Sequence, residues 1–275
     1  KSDIKLEKII SKKQYLNLCK ICDTLLISKK ASIARVANPF FSVVKEHPLY
    51  LDRYWPIFNE KYSKFNFSSS LFLFFRKIIK IFKILINFKS WYCKQIRFSK
   101  YDYIILTHLM SEKLMDNTED FYFGNVPNEL VKKNKKVLVV YINHTTKSSS
   151  KIKCNNKIFS QIILSSYLNF FLEFTFLLMV VRDNLSLRKL LKKEKDELIK
   201  NIIFNASSLK LISQTISNLR IGEQLKRIVK KYKPKAIITT FEGHPYERIV
   251  YRMSREALNS VYCIGYIHTG LSQYQ

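Results

Sequence analysis

Continuous apolar runs, rather than alternating ones, dominate the later part of this 275-residue chain. Four of these runs cover residues 103–107, 137–142, 236–241 and 261–267. A strand that is apolar on both sides is typical of a parallel sheet with helices on both faces. The pattern therefore predicts an α/β, Rossmann-like domain over residues 101–275.

Amphipathic segments between these runs predict the helices. Pro127 suits the first turn of a short helix that runs to residue 131. Residues 214–232 place apolar side chains on one side and lysines on the other, and Pro234 follows the predicted end. A helix over residues 245–258 joins the strands on either side of it into a βαβ unit.

The most apolar stretch, residues 158–181, has two interpretations. The favoured one is a buried strand over about 158–164 followed by a buried helix. The other is a membrane-spanning helix, but a central Glu173 would cost about 2–3 kcal/mol on insertion scales.

Residues 1–100 are predicted to form a mainly helical N-terminal region. Within it, residues 71–89 (LFLFFRKIIKIFKILINFK) interleave cations with Ile, Leu and Phe. This pattern is typical of an amphipathic helix that lies in the plane of an anionic membrane surface. A core helix with a solvated basic stripe is the alternative, and the sequence leaves both open.

The composition excludes an intrinsically disordered chain and indicates the kind of partner that the protein binds. A chain with 47% hydrophobic residues is too apolar to be intrinsically disordered. Its 48 Lys+Arg against 21 Asp+Glu give a net charge of +27. Such a charge implies an anionic partner, namely nucleic acid, anionic lipid or a phosphorylated small molecule. The preference for Lys over Arg also fits an A/T-rich genome, so we give the charge little weight.

Polar residues that follow the apolar runs are the first candidates for a functional site. Ligands of open α/β sheets bind at the carboxyl ends of the strands. Four of the five histidines closely follow a run: His108, His144, His244 and His268. We therefore expect one crevice lined by strand-end side chains.

Residues 242–248 (EGHPYER) are the densest of these strand-end segments. Gly243 permits a positive φ or a close approach of the backbone. Pro245 starts a helix whose free N–H groups can bind an anion. Glu242 is a candidate general base, and His244 is the alternative.

Arg248, one turn into the predicted helix, suits a clamp on phosphate or carboxylate. The alternative is a helix-terminal charge pair between Glu247 and Arg248, with Glu242 as a cap. The candidate substrate-binding residues are His144, Thr145, Glu247, Arg248, His268, Thr269 and Gly270. No carboxylate cluster indicates a metal, and the motifs of P-loop NTPases, dinucleotide oxidoreductases, zinc proteases and α/β hydrolases do not occur.

Four segments together resemble the N-terminal half of bacterial surface-carbohydrate biosynthesis proteins of the capsule or O-antigen type. The segments are YDYIILTHL, DFYFGNVPNELVKKNKKVLVVYINHT, KPKAIITTFEGHPYERIVYR and VYCIGYIHTGLSQYQ. Those proteins are glycosyltransferases, or resemble them, and have the two Rossmann domains of the GT-B fold. The resemblance covers residues 101–275, so it implies a second domain beyond this point and predicts that the chain is a fragment.

This resemblance also implies an activity: transfer of a sugar from a nucleotide sugar to a glycan or lipid-linked acceptor. It places Glu242 or His244 near the acceptor hydroxyl and His268 towards the cleft between the domains. It implies no metal and no cofactor besides the donor. A lipid-linked acceptor implies a cytoplasmic protein, peripheral on the inner face of the plasma membrane.

Two other functions stay open on the sequence. One is a non-catalytic carbohydrate-assembly protein with the same fold. The other is a nucleic-acid-binding protein, which the charge of +27 would suit. However, the basic residues are spread along the whole chain and no binding module is recognised, so nucleic acid is not the expected partner.

Overall fold

A six-stranded sheet forms the centre of the fold. Its strands are β1 (Trp91–Gln95), β2 (Tyr103–Leu109), β3 (Val137–Asn143), β4 (Ser160–Leu164), β5 (Ala236–Thr240) and β6 (Tyr262–Tyr266). They lie in the order β1-β4-β3-β2-β5-β6. All neighbouring pairs are parallel except β1 and β4. The predicted α/β class is confirmed, and the arrangement is consistent with a Rossmann-like fold.

The computed structural model of the chain describes residues 11–28, 31–41, 57, 91–154 and 156–267. The predicted basic helix over 71–89 and the candidate site residues His268, Thr269 and Gly270 lie outside the described residues. The division into a helical region over 1–100 and a domain over 101–275 stays a prediction.

Seven α-helices have both of their ends in the described part of the chain. They are α1 (Lys12–Ile27), α2 (Ile33–Val36), α3 (Val126–Lys132), α4 (Phe170–Lys193), α5 (Glu197–Ala206), α6 (Ile212–Tyr232) and α7 (Pro245–Ala257). Pro127 lies in the first turn of α3, and Pro245 is the first residue of α7, as proline's fixed φ favours. The predicted βαβ unit is confirmed as β5, α7 and β6.

Both faces of the central strands β2, β3 and β4 are buried, which explains why these strands do not alternate. The expectation that all four apolar runs are buried on both faces is wrong for β6, which lies at the edge of the sheet and is largely exposed. Ile104 and Leu106 of β2 belong to an apolar cluster that includes side chains of α6 and α7. Ile105, between them, points to the opposite face, into a cluster that includes Val126 and Leu130 of α3. Because successive strand residues face opposite sides, an apolar residue is needed at every position.

Residues 158–181 form a strand and a helix, as the favoured interpretation predicts. None of the helices in the described ranges is long and apolar enough to cross a membrane. The predicted burial of the helix is confirmed on one side only, since Phe171 is 80% exposed. Glu173 is fully buried, and its carboxylate pairs with Arg220 at 2.6 Å. That pairing offsets the cost of burying the charge.

An ion pair ties the N-terminal helices to the rest of the fold. Arg35 of α2 is fully buried, and its guanidinium lies 3.0 Å from the carboxylate of Asp183 on α4. The same guanidinium donates to the carbonyl oxygen of Leu25 and to the hydroxyl of Ser28. A buried charge needs such compensation, so this contact helps to fix where the N-terminal segment lies on α4.

Gly222 lets α6 and α7 approach closely. A methyl group at this position would overlap Cγ2 of Ile249 and lie 2.6 Å from the sulfur of Met253. The Ile249 side chain is branched at Cβ and fully buried, so its methyl group has little freedom to move away. The interhelical distance is therefore set by the missing side chain.

We predict that Gly222→Ala destabilises the protein. An exposed Gly→Ala change in a helix stabilises by about 1 kcal/mol, whereas overpacking a core costs about 1–3 kcal/mol. Thermal or urea unfolding of Gly222→Ala, Ile249→Ala and the double variant gives a double-mutant cycle. The double variant should lose less stability than the two single losses combined, and strict additivity would contradict the steric explanation.

Candidate functional site

Open α/β sheets have their crevice outside the carboxyl ends of the strands, and here that location is the edge where β2, β3 and β5 end. Their parallel pairing aligns Leu106 of β2 with Val140 of β3 and with Thr239 of β5. The residues that follow therefore emerge at one edge of the sheet. His108, His144 and the turn after β5 meet there, as the sequence predicts.

The turn after β3 holds His144 at the tip of the strand. The backbone N–H of His144 donates to the carbonyl of Leu109 at 3.0 Å, which extends the pairing of β2 with β3. Asn143 closes the turn, because its side-chain oxygen accepts from the N–H of Thr145 at 2.9 Å and from its hydroxyl at 2.8 Å. The hydroxyl of Thr145, a candidate for substrate binding, thus donates within the turn.

Glu247 shapes the turn after β5. Its carboxylate accepts from the N–H of Gly243 at 2.9 Å, from the N–H of Glu242 at 3.1 Å and from the hydroxyl of Thr240 at 3.3 Å. Gly243 has a φ of 82°, a conformation that favours glycine. Glu247, a candidate substrate ligand, is fully buried and faces this turn.

Burial raises the pKa of Glu247 to about 7. The two backbone N–H groups and the Thr240 hydroxyl favour the ionised form, but they offset only part of the cost of removing the carboxylate from water. Glu247 therefore changes its charge near neutral pH.

Glu242 and His244 form a pair on the outer side of the turn. Nε2 of His244 lies 3.1 Å from Oε2 of Glu242, with the two side chains 38% and 20% exposed. The structure thus brings together the two candidate general bases. Arg248 is half-buried on the first turn of α7, and within the described ranges it makes no ion pair with Glu247.

A chain of short hydrogen bonds runs behind this pair. Nδ1 of His108 lies 2.7 Å from Nε2 of His144, and Nε2 of His108 lies 2.7 Å from the hydroxyl of Tyr246. The Tyr246 hydroxyl in turn lies 2.7 Å from that of Thr240. With the Thr240–Glu247 bond, the chain reaches from the exposed imidazole of His144 to a buried carboxylate.

The surroundings change the acidity of two groups in this chain. Partial desolvation lowers the pKa of His144, and the nearby imidazole of His244 lowers it further. Burial raises the pKa of Tyr246, and the charge of Glu247 adds to that effect. His144 is therefore held neutral, and the Tyr246 phenol keeps its proton.

Sequence reasoning missed part of this arrangement. Thr240 carries no motif, and Tyr246 lies in the EGHPYER segment but was not among the candidate site residues. Only their partners in space reveal a role. Asp120 was also missed: it is buried and accepts from the hydroxyl of Thr107 at 2.9 Å and from the N–H groups of Tyr122 and Phe123. Burial raises the pKa of Asp120. The turn that Asp120 stabilises places the ring centroid of Tyr122 5.2 Å from that of His108.

In the described part of the chain, no group of three His, Cys, Asp or Glu side chains is arranged to hold a metal ion. Neither a protein-family model, nor a curated protein, nor a solved structure matches this chain. The site is therefore interpreted from its own geometry.

We predict that Glu247 makes stability fall as pH rises. Its folded-state pKa of about 7 lies above the ordinary value of 4.5. The folded state then binds more protons than the unfolded state between these values, and stability decreases through that window. In Glu247→Gln this contribution disappears, so the difference in unfolding free energy between variant and wild type should change by about 2 kcal/mol between pH 5 and pH 8.

Urea unfolding at the two pH values measures this difference. Glu256→Gln is the control, because Glu256 is an exposed carboxylate on the same helix. It should follow the pH dependence of the wild type. A Glu247→Gln variant that also followed it would contradict the assigned ionisation.

Proposed function

We propose that this chain is part of a glycosyltransferase-like enzyme of bacterial surface-polysaccharide biosynthesis, with the GT-B fold. It would transfer a sugar from a nucleotide sugar to a glycan or lipid-linked acceptor. The observation that carries the proposal is the cluster of polar side chains at the carboxyl ends of β2, β3 and β5, where the Glu242–His244 pair lies beside Tyr246 and the His108–His144 contact. The resemblance of the four sequence segments supplies the substrate class.

The Glu242–His244 pair suits activation of an acceptor hydroxyl. A carboxylate at 3.1 Å orients the imidazole and stabilises it when it takes up a proton. Either residue is partly exposed, so a substrate can reach it. Removing the hydroxyl proton raises the nucleophilicity of the oxygen that attacks the sugar.

The beginning of α7 suits the departing phosphate. Pro245 starts the helix beside the pair, so the positive end of the helix dipole lies at the crevice. Arg248 adds a cation on the first helical turn. Groups of this kind stabilise the charge that develops on a leaving phosphate without a metal ion.

We predict that His244→Ala and Glu242→Gln each lower kcat/KM for sugar transfer, by about 100-fold for the imidazole. The assay uses the intact gene product and a panel of nucleotide sugars. Arg255→Ala is the control, since Arg255 is exposed near the far end of α7. If the wild type and the variants were equally inactive on every donor, the proposal that the protein is an enzyme would lose its support. Surface glycan that survives Glu242→Gln in cells would favour a non-catalytic assembly protein.

The outward face of α4 suits the proposed attachment to an anionic membrane surface. Phe171, Phe174, Leu178 and Leu185 recur on this face at helical spacing and are 80%, 44%, 53% and 55% exposed. The exposed cations Arg182, Lys189 and Lys192 share the face. Apolar anchors beside cations are typical of helices that lie on anionic bilayers.

The acidic residues of α4 support the same partner. Glu173 and Asp183 are the only carboxylates of the helix, and both are buried on its inner side, where they pair with Arg220 and Arg35. The outward face therefore carries cations without opposing charge. This complementarity favours an anionic lipid surface over a second copy of the same basic chain.

We predict that Phe171→Ser/Phe174→Ser weakens binding to vesicles of phosphatidylcholine with phosphatidylglycerol by about tenfold, which equals about 1.4 kcal/mol. Sedimentation with vesicles measures it. Leu16→Ser/Ile27→Ser on α1 removes two exposed apolar side chains elsewhere and should bind as wild type. Equal binding to pure phosphatidylcholine would contradict the anionic surface. If the wild type were a dimer and Phe171→Ser/Phe174→Ser dissociated it, the outward face of α4 would instead be assigned to contact with a second copy of the chain.

A further inference from the structure

The hydrogen bonds behind the crevice have one direction when Glu247 is ionised. A carboxylate only accepts, so the Thr240 hydroxyl donates to it. A hydroxyl has one proton, so Thr240 accepts from the hydroxyl of Tyr246, 2.7 Å away. The Tyr246 oxygen then accepts from Nε2–H of His108 at 2.7 Å.

This direction also fixes the tautomers of both histidines. A neutral imidazole has one N–H, so His108 protonated on Nε2 accepts on Nδ1. The donor to that nitrogen is Nε2–H of His144, at 2.7 Å. Nδ1 of His144 is then left as an acceptor on an exposed imidazole at the crevice.

We propose that His144, His108, Tyr246, Thr240 and Glu247 form a proton relay that takes a proton from a substrate hydroxyl in the crevice and delivers it to the buried carboxylate. The hydroxyl as substrate group rests on the proposed function, and for that hydroxyl the relay is an alternative base to the Glu242–His244 pair. The relay itself rests on the hydrogen-bond geometry. His144 is the residue that contacts the substrate, and His108, Tyr246 and Thr240 are positioning residues.

The step is balanced in protons and electrons. The substrate O–H bond breaks, its electron pair stays on oxygen, and its proton binds Nδ1 of His144. His144 passes its Nε2 proton to Nδ1 of His108, and His108 passes its own Nε2 proton to Tyr246. Tyr246 and Thr240 each pass one proton onward, and Glu247 becomes neutral. After the product leaves, the reverse transfers return a proton to His144, which releases its Nδ1 proton to solvent water and so restores the starting state.

The acidities of the two ends match this task. The pKa of Glu247 is raised to about 7 by burial, so the carboxylate can hold a proton at neutral pH. The lowered pKa of His144 keeps its imidazole neutral and able to accept. Because the pKa of Glu247 is raised and that of His144 is lowered, the proton is favoured at the carboxylate end of the relay.

Other titratable groups face the relay from each element around it. Asp120 and Tyr122 lie on the side of His108, with the Tyr122 ring 5.2 Å from it. His244 stacks on the ring of Tyr246 at 5.6 Å and pairs with Glu242 beside the chain. Burial raises the pKa of the Tyr251 phenol on α7, and the charge of the nearby Glu247 adds to that effect. The charges of these groups affect the pKa values of the relay residues through space, whereas the proposed proton transfer passes through the hydroxyl of Tyr246.

Nitrogen NMR of the histidine side chains tests the relay directly. In the wild-type chain, His108 and His144 should both be protonated on Nε2 while neutral. Glu247→Gln should lower the titration midpoint of His144, because the carboxylate no longer stabilises a proton delivered along the chain. Tyr246→Phe keeps the ring but removes the link, so in that background Glu247→Gln should leave the midpoint unchanged.

His244→Ala is the matched control. It removes a neighbouring positive charge and should raise the midpoint of His144 equally in the wild-type and Tyr246→Phe backgrounds, since that effect needs no hydrogen bond. Protonation of neutral His108 on Nδ1, or an equal effect of Glu247→Gln in both backgrounds, would overturn the relay. Both outcomes are independent of whether any sugar is transferred.

Enzyme kinetics provide a second test of the relay if sugar transfer is detected with any donor. Tyr246→Phe should lower kcat by about tenfold or more with little change in KM, and should move the pH profile of kcat. An unchanged kcat and pH profile would overturn the relay while the glycosyltransferase stands. If no donor supports sugar transfer, the proposed function fails. The relay is then tested by the NMR measurements alone.

Discussion

The parallel pairing of β2 with β3 on one side and β5 on the other is the constraint on which the rest of the structure depends. It buries both faces of the central strands and brings three strand ends to one edge. The crevice follows from this geometry, because His108, His144 and the Glu242–Glu247 turn are the next residues along the chain. Without that pairing, these side chains would have no common location.

Two buried carboxylates organise the turns at this edge in the same way. Asp120 accepts from two backbone N–H groups and from Thr107, and Glu247 accepts from two backbone N–H groups and from Thr240. Each threonine follows the last residue in the pairing of β2 with β5. Burial raises the pKa of both carboxylates. The sheet thus carries one pattern of turn stabilisation on two neighbouring strands.

Local patterns explain how much of this could be predicted from the sequence. Unbroken apolar runs predicted β2, β3, β5 and β6, and Pro245 predicted the start of α7, because these signals depend on neighbouring residues alone. β1 was missed, because its sequence, WYCKQ, ends in two polar residues and forms no long apolar run. The Arg35–Asp183 pair joins residues 148 apart, and the inward direction of Glu247 depends on the folded turn. Both require knowledge of tertiary packing.

The close approach of α6 and α7 at Gly222 has consequences beyond the packing of these two helices. α7 carries Tyr246 and Glu247 on its first turn, so the depth at which the helix lies on α6 also sets the height of both side chains relative to the strand ends. Hydrogen bonds of 2.7 Å weaken steeply when donor and acceptor move apart. The absence of one methyl group between two helices therefore influences the hydrogen-bond distances of Tyr246, and sensitivity to substitution extends beyond the residues at the strand ends.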